Sequence, residues 1–170
     1  MLRTVIIIRH AKAEPGLPGQ SDFSRSLNER GLQDAAMMGK RLKARGIIPD
    51  LILASAAKRT ASTAQLIAEA LDCKEKVQLK EVMYNASEDT LQDLLLTSAI
   101  NNQHKTILLI AHNPGITYLA HILSPSLQLN NMPTCGMLAV QAHVEDWTNF
   151  LQQARQFYFF DYPKNTLSIS

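Results

Sequence analysis

The 170 residues contain two cysteines, Cys73 and Cys135, which stand far apart and form no Cys-x-x-Cys pair. That excludes a disulfide framework and gives no basis for thioredoxin-type redox chemistry or a cysteine-held zinc; both thiols read as buried or inert. Long apolar runs are missing too. The longest, VIII at 5–8 and ILLIA at 107–111, are far too short to cross a bilayer. Arg3 precedes the first run, but that run ends in Arg9-His10 with no small-residue cleavage site, so it reads as a strand and not a signal peptide. A cytoplasmic protein with no membrane partner is expected. No Lys/Arg cluster and no aromatic-interleaved basic patch occurs, and the net charge is only +2, so nucleic acid is not an expected partner. Neither a Walker A loop nor a Gly-rich dinucleotide fingerprint follows a strand, which leaves kinases and dehydrogenases unsupported. His104, His121 and His143 share no ligand spacing with one another or with carboxylates, so no metal site is expected.

What is present is an ordinary globular composition, with 46% hydrophobic and 19% charged residues, which argues against disorder. A chain of this length buries about 70% of its unfolded surface without covalent help, so one domain over 1–170 and a monomer are expected. Val5 to Ile8 is a β-branched run suited to a strand covered on both faces. Pro15, Gly16, Pro18 and Gly19 make residues 11–27 a loop. From Glu29, apolar positions recur at helical spacing up to Gly46, which sits where a C-terminal cap glycine belongs. DLILA at 50–54 is a second buried strand, with Ser55 as N-cap of the helix that follows.

Val77 to Leu79 suits a short strand, and SEDTLQDLLLTSAI at 87–100 has a helical apolar face. KTILLIAHNPGITYLAHIL at 105–123 repeats strand, polar break and helix, with Asn113 as cap and Pro114 in the first helical position. Residues 134–143 and 156–162 read as the last strands. Strands alternating with helices predict an α/β fold, a mostly parallel central sheet between two helical layers, with the final pair antiparallel.

In such a sheet ligands sit outside the carboxyl ends of the strands. Arg9 and His10 end the first strand, Arg59 lies in the first turn after the second, and His112 ends the strand before the AHNP break. Three separate junctions thus bring four groups to one edge. Two arginine forks match the oxygens of a phosphoryl group, helix N-termini add partial positive charge, and a neutral imidazole among them can attack phosphorus.

Arg9-His10-Ala11, SAAKRTASTA with Arg59, LKE with Glu81 and AHNP with His112 together resemble the histidine phosphatase superfamily. The short chain, RSLNERG before the first helix, and FYFFDYPKNTL near the end are similar to its SixA-type phosphohistidine phosphatases. Ala11 stands where glycine is commoner, and Ser26 where the SixA-type pattern has proline. The resemblance implies a three-layer αβα sandwich of the phosphoglycerate mutase-like kind and no metal or organic cofactor. It also implies His10 as nucleophile and Arg9, Arg59 and His112 as the phosphate pocket. Two residues stay open at this level. Glu81 matches the superfamily's proton donor, yet its polar stretch equally suits a solvent-facing carboxylate. Arg25 suits either a phosphate contact from the loop or a solvated side chain.

The expected activity is therefore a metal-independent phosphatase with a phosphohistidine intermediate. The spans between the motifs are nearly filled by elements the sheet needs, leaving no insertion to close the pocket, and an open pocket favours phosphohistidine displayed on a partner protein. The alternatives are a phosphatase or mutase acting on a small phosphate ester, and a phospho-binding module without turnover.

Overall fold

Alternation along the central strands sends side chains to two opposite faces, and both faces are apolar. In the computed structural model, which describes residues 1–97 and 101–166, the strands are β1 (Leu2–Arg9), β2 (Leu51–Ser55), β3 (Val77–Lys80), β4 (Thr106–Ala111), β5 (Met137–His143) and β6 (Gln156–Asp161). They form one six-stranded sheet in the order β3-β2-β4-β1-β5-β6. β3, β2, β4 and β1 run parallel, β5 is antiparallel to β1, and β6 is antiparallel to β5. The antiparallel hand therefore begins one pairing earlier than the final pair.

The helices are α1 (Glu29–Ala44), α2 (Lys58–Ala70), α3 (Glu88–Leu96) and α4 (Gly115–Leu123). Ile6, Ile8, Ile52, Ala54, Leu108 and Ile110 pack with Ala35, Met38 and Leu42 of α1 and Ala64 and Ile67 of α2. Val5, Ile7, Leu53 and Leu109 pack with Leu91 and Leu95 of α3 and Ile116 and Leu119 of α4 on the opposite face. This is a three-layer α/β sandwich in which every central strand is buried twice over, which is why β1, β2 and β4 read as continuous apolar runs. Residues 98–100, which the apolar pattern includes in the third helix, and Leu167 lie outside the described residues.

Local chemistry sets most boundaries. The Asn28 side chain accepts the Gly31 N–H at the start of α1, and Ser87 accepts the Thr90 N–H at the start of α3. Gly46, at φ +76°, closes α1 in the left-handed region as a cap glycine does. β5 starts at Met137 and not at Thr134 because Cys135 takes a positive φ of 56°, which breaks the extended run. Both cysteines are free and buried, and burial raises both thiol pKa values. Among the described residues no helix is long and apolar enough to cross a membrane.

Two helix starts come unusually close to neighbouring backbone. A Cβ on Gly31 would lie 2.1 Å from the Lys12 carbonyl oxygen, and one on Gly115 would lie 2.1 Å from that of Ala86. Backbone cannot yield as a side-chain tip can, so Gly31→Ala and Gly115→Ala should each destabilise by about 1–3 kcal/mol. Lys40→Ala, on the exposed side of α1, should stay within about 0.5 kcal/mol. Urea unfolding of the three variants checks this, and equal midpoints would contradict the close approach.

Candidate active site

β1 and β4 are neighbours, but the chain leaves β1 for α1 on one face of the sheet and β4 for α4 on the other. The two crossovers diverge and open a crevice between the strand ends, the usual ligand position in an open α/β sheet. Arg9 pairs with Ala111 in the last parallel register position, so His10 and His112 emerge side by side. Their ring centroids are 5.3 Å apart.

His10 is held from several directions. Its N–H donates to Ala111 O at 3.1 Å, and its own carbonyl accepts from Cys135 N at 3.1 Å. Ala11 N donates to Thr63 Oγ1 at 3.0 Å, and that hydroxyl donates to Arg59 O at 2.7 Å, tying the strand end to α2. In the ring, Nδ1 lies 2.7 Å from Ala11 O. A carbonyl can only accept, so Nδ1 carries the proton and Nε2 keeps its lone pair. Burial pushes the His10 pKa down to about 4; Arg9, Arg59 and Arg25 add to this, and together they outweigh the opposing pull of the Ala11 carbonyl. The imidazole is neutral at physiological pH.

His112 is held by its other nitrogen. Nε2 lies 2.8 Å from Ser55 Oγ, which already accepts the Ala57 N–H at 3.3 Å. Ser55 is fully buried and, among the described residues, its hydroxyl has no other acceptor, so that proton turns to Nε2 and the ring proton sits on Nδ1. Burial, Arg59 and His10 push its pKa down to about 3. This corrects the reading of Ser55 as the α2 cap: Ser55 ends β2, Ala57 precedes α2, and the hydroxyl orients His112 instead. Asn113 likewise does not cap α4. Its Oδ1 accepts the Thr117 hydroxyl at 2.6 Å, and its amide donates to Asn131 and to Met132 O.

Arg9 donates through Nη1 to Met132 O at 2.9 Å, and Arg59 donates through Nη1 and Nη2 to the backbone and side chain of Asp22 at 2.8 and 3.0 Å. Arg9 Nε, Arg59 Nε and His112 Nδ1 are buried donors with no hydrogen-bond partner among the described residues. Arg3, buried at the opposite end of the sheet, shows the contrast. It donates to the carbonyls of Val144, Asn102 and Glu145 at 2.6–3.1 Å and also to that of His104. A structural arginine is satisfied by the protein, whereas those at the crevice keep donors in reserve.

A cavity of about 390 Å³ lies over these groups, lined by Arg9, His10, Lys12, Ala13, Arg25, Arg59, Asn85, His112, Asn113 and Thr134. Every charged group in that lining is a cation. A larger hollow of about 560 Å³ between α2 and β3 contains none of the four strand-end groups, so chemistry and not size marks the site. Arg25 is brought to the cavity, with Nε on Asp22 Oδ1 at 2.9 Å and Nη1 on Glu14 O at 2.8 Å. Glu81 is not: it is exposed at the start of the 3-10 turn Glu81–Met83 and is absent from the lining. The side chain from that region that reaches the site is Tyr84, whose ring meets the His112 ring edge-on at 5.5 Å.

Asp22 and Tyr84 escape a reading of strand ends, whereas Ser55 stands at one, with helix-cap chemistry that conceals its bond to His112. Asp22 and Tyr84 lie on loops without periodicity, and the one signal for Asp22 is its i,i+3 spacing to Arg25. Among the described residues no cluster of three or more His, Cys, Asp or Glu side chains has an arrangement suited to a metal ion.

An anion-ready crevice at a sheet switch point, with two neutral histidines inside it, defines a phosphoryl-transfer class of site. Residues 5–99 match the family model of the histidine phosphatase superfamily (branch 1), and the chain belongs to that superfamily. Its activity is that of a phosphatase. A SixA protein from Agrobacterium tumefaciens, assigned as a phosphohistidine phosphatase, is 28% identical with a TM-score of 0.76, over 95% of this chain and 99% of its own. A SixA protein histidine phosphatase solved with tungstate, 21% identical, has the same fold with a TM-score of 0.74 over 94% of this chain and 97% of its own. An uncharacterized chloroplastic protein of Arabidopsis thaliana is 27% identical over 154 residues, 85% of this chain and 69% of that one.

The neutral imidazoles make the fold sensitive to acid. The unfolded chain takes up protons on His10 and His112 as pH falls through about 6.5, while the folded sites resist until about 4 and about 3. The unfolded state binds more protons in that window, so stability is full above it and declines as pH falls through it. His10→Asn should remove about 1–2 kcal/mol of the stability loss between pH 7 and pH 5. Urea unfolding at the two pH values measures it, and an unchanged loss would mean that His10 titrates normally.

Proposed function

We propose that this chain hydrolyses phosphohistidine carried on a partner protein, through a phosphohistidine intermediate on His10 and without a metal or organic cofactor. One observation carries the reading: every charged side chain that lines the cavity is a cation, and the carboxylate tied to its wall is held ionised and cannot supply a proton. Asp22 accepts from Tyr84, Arg25 and Arg59 together, and these partners, the Tyr84 hydroxyl foremost, hold its pKa well below the usual carboxylate range. An alkyl ester expels an alkoxide and needs a general acid; an imidazole, with an ordinary pKa of about 6.5, does not.

In this scheme the dianionic phosphoryl group docks on Arg9, Arg59 and the His112 Nδ1–H, with Arg25 at the mouth. The Nε2 lone pair of His10 attacks phosphorus in line with the departing nitrogen. The P–N bond of the substrate breaks, and its imidazole, protonated from solvent on the far ring nitrogen, leaves neutral. The His10 Nδ1–H stays on Ala11 O and orients the nucleophile throughout. Water then attacks phosphorus, the P–Nε2 bond breaks, the electron pair returns to Nε2 to restore neutral His10, and phosphate leaves as the dihydrogen form, which gives up a proton to solvent. The donors on Arg9, Arg59 and His112 await charge that is fullest in the transition state, where preorganised groups contribute most. Exposed Lys12 and half-buried Arg25 at the mouth suit an approach by a macromolecule.

The parent enzyme should turn over a phosphohistidine-bearing carrier protein with kcat/KM about 100-fold or more above an alkyl phosphate, given the missing acid. Acid-labile, base-stable phosphate should be trapped on the parent and be absent from His10→Ala, which should also lose turnover. A preference for the alkyl ester would replace this reading with a small-ester phosphatase. Stoichiometric binding without turnover would make the chain a phospho-binding module.

Arg59→Ala should lose about 2–4 kcal/mol of transition-state stabilisation, and Arg59→Lys should recover little, because the fork holds Asp22 and phosphate at once. Steady-state kinetics decide; near-full activity in the lysine variant would contradict the bidentate geometry. Activity should also survive exhaustive EDTA treatment, and loss on chelation with rescue by a divalent ion would assign another mechanism.

A further inference from the structure

We infer that Asp22 is a positioning residue that aims Arg59 and Arg25 at the phosphoryl group and cancels part of their charge. The inference rests on the reading of the cavity as a phosphoryl site and adds to it a residue outside the cavity lining. Asp22 begins the short turn Asp22–Ser24 in the loop between β1 and α1, and its side chain is 47% exposed, against 4% for Arg59. Its backbone carbonyl accepts from Arg59 Nη1 at 2.8 Å, and its Oδ2 accepts from Arg59 Nη2 at 3.0 Å. Two points on one residue fix the plane of the guanidinium. Oδ2 also accepts the Tyr84 hydroxyl at 2.5 Å, and Oδ1 accepts Arg25 Nε at 2.9 Å.

These contacts serve catalysis because of what they leave over. Arg59 has five N–H groups; the two bonds to Asp22 use one on each terminal nitrogen, and the buried Nε–H remains unpaired. A long side chain that would otherwise sample many rotamers is frozen before substrate arrives, so its ordering is not charged against the transition state. Tyr84 closes the assembly: its ring faces the Arg59 guanidinium at 5.9 Å, meets Phe23 of the same turn at 5.0 Å and meets His112 at 5.5 Å. The charge acts in the opposite sense on binding. A carboxylate beside two arginines lowers the positive potential that the ground-state dianion feels, so its removal should not weaken anion binding even as it loosens Arg59.

That split distinguishes positioning from a purely structural role, which would weaken binding and turnover together. The experiment compares the parent, Asp22→Asn, Arg59→Ala and the double variant, using kcat on 4-nitrophenyl phosphate and the Kd of tungstate by calorimetry. The exposed loop position and near-isosteric change keep Asp22→Asn folded. Asp22→Asn should lower kcat by at least about tenfold with Arg59 present and by less than about twofold without it, as groups acting through one another do. Tungstate should bind Asp22→Asn at least as tightly as the parent. In the Arg59→Ala background the same change should tighten tungstate about fivefold, because an unpaired carboxylate at the site is relieved.

A kcat for Asp22→Asn within about twofold of the parent, or an equal loss in both backgrounds, would overturn the assignment. If the parent released no phosphate at all, the proposed activity would fall while the tungstate cycle still decided. In tungstate binding, a greater tightening by Asp22→Asn when Arg59 is absent upholds the coupling of the two residues, and equal factors in both backgrounds reject it.

Discussion

The parallel pairing of β1 with β4 is the constraint on which the rest of the site depends. Because Arg9 sits opposite Ala111, the next residue on each strand is a histidine, and the two rings meet over the sheet edge. A slip of one residue would turn Ile6 and Ile8 to the α3–α4 face and separate the imidazoles. The register is held by burial of both faces, since each side chain from Val5 to Ile8 is wholly enclosed. The core therefore specifies the geometry of the candidate site without lining it.

The same rigidity sustains an arrangement that is electrostatically unfavourable in isolation. The buried guanidinium of Arg59 and the half-buried one of Arg9 share one crevice with two imidazoles, and like charges there repel. The protein resolves this by keeping both histidines neutral, each with one nitrogen committed to an uncharged partner, Ala11 O for His10 and Ser55 Oγ for His112. The opposite nitrogens are left open, with an electron pair on His10 and a proton on His112. Unpaired donors on Arg9, Arg59 and His112 then remain as a standing desolvation penalty that an incoming dianion would relieve. Arg3, at the far end of β1, shows that the fold can engage every nitrogen of a buried arginine.

Much of this was legible in the residues. The β-branched run at 5–8, the glycine at 46 and the strand-ending Arg9-His10 and His112 are local signals, and each matched its element because the same short-range sterics act in any chain. The first departures arise where a polar side chain had a choice of partner. Ser55 and Asn113 have the right chemistry for helix caps, yet they face a buried imidazole and the Thr117–Asn131 cluster, whose positions are set by distant strands. Glu81 falls at a motif position but on a turn that directs it to solvent, and Tyr84, three residues on, takes the place beside His112.

The sequence alone settled which strands are covered on both faces and which polar groups sit at their ends, because hydrophobic period and chain breaks are properties of neighbours along the chain. It could not settle that Asp22 would clasp Arg59 across 37 positions, that Ser55 would choose the tautomer of His112, or that the crevice would hold no acid. Those facts depend on distances between segments joined only through the sheet. A hydrogen bond is made or lost within a few tenths of an ångström, a scale that only the packed core fixes.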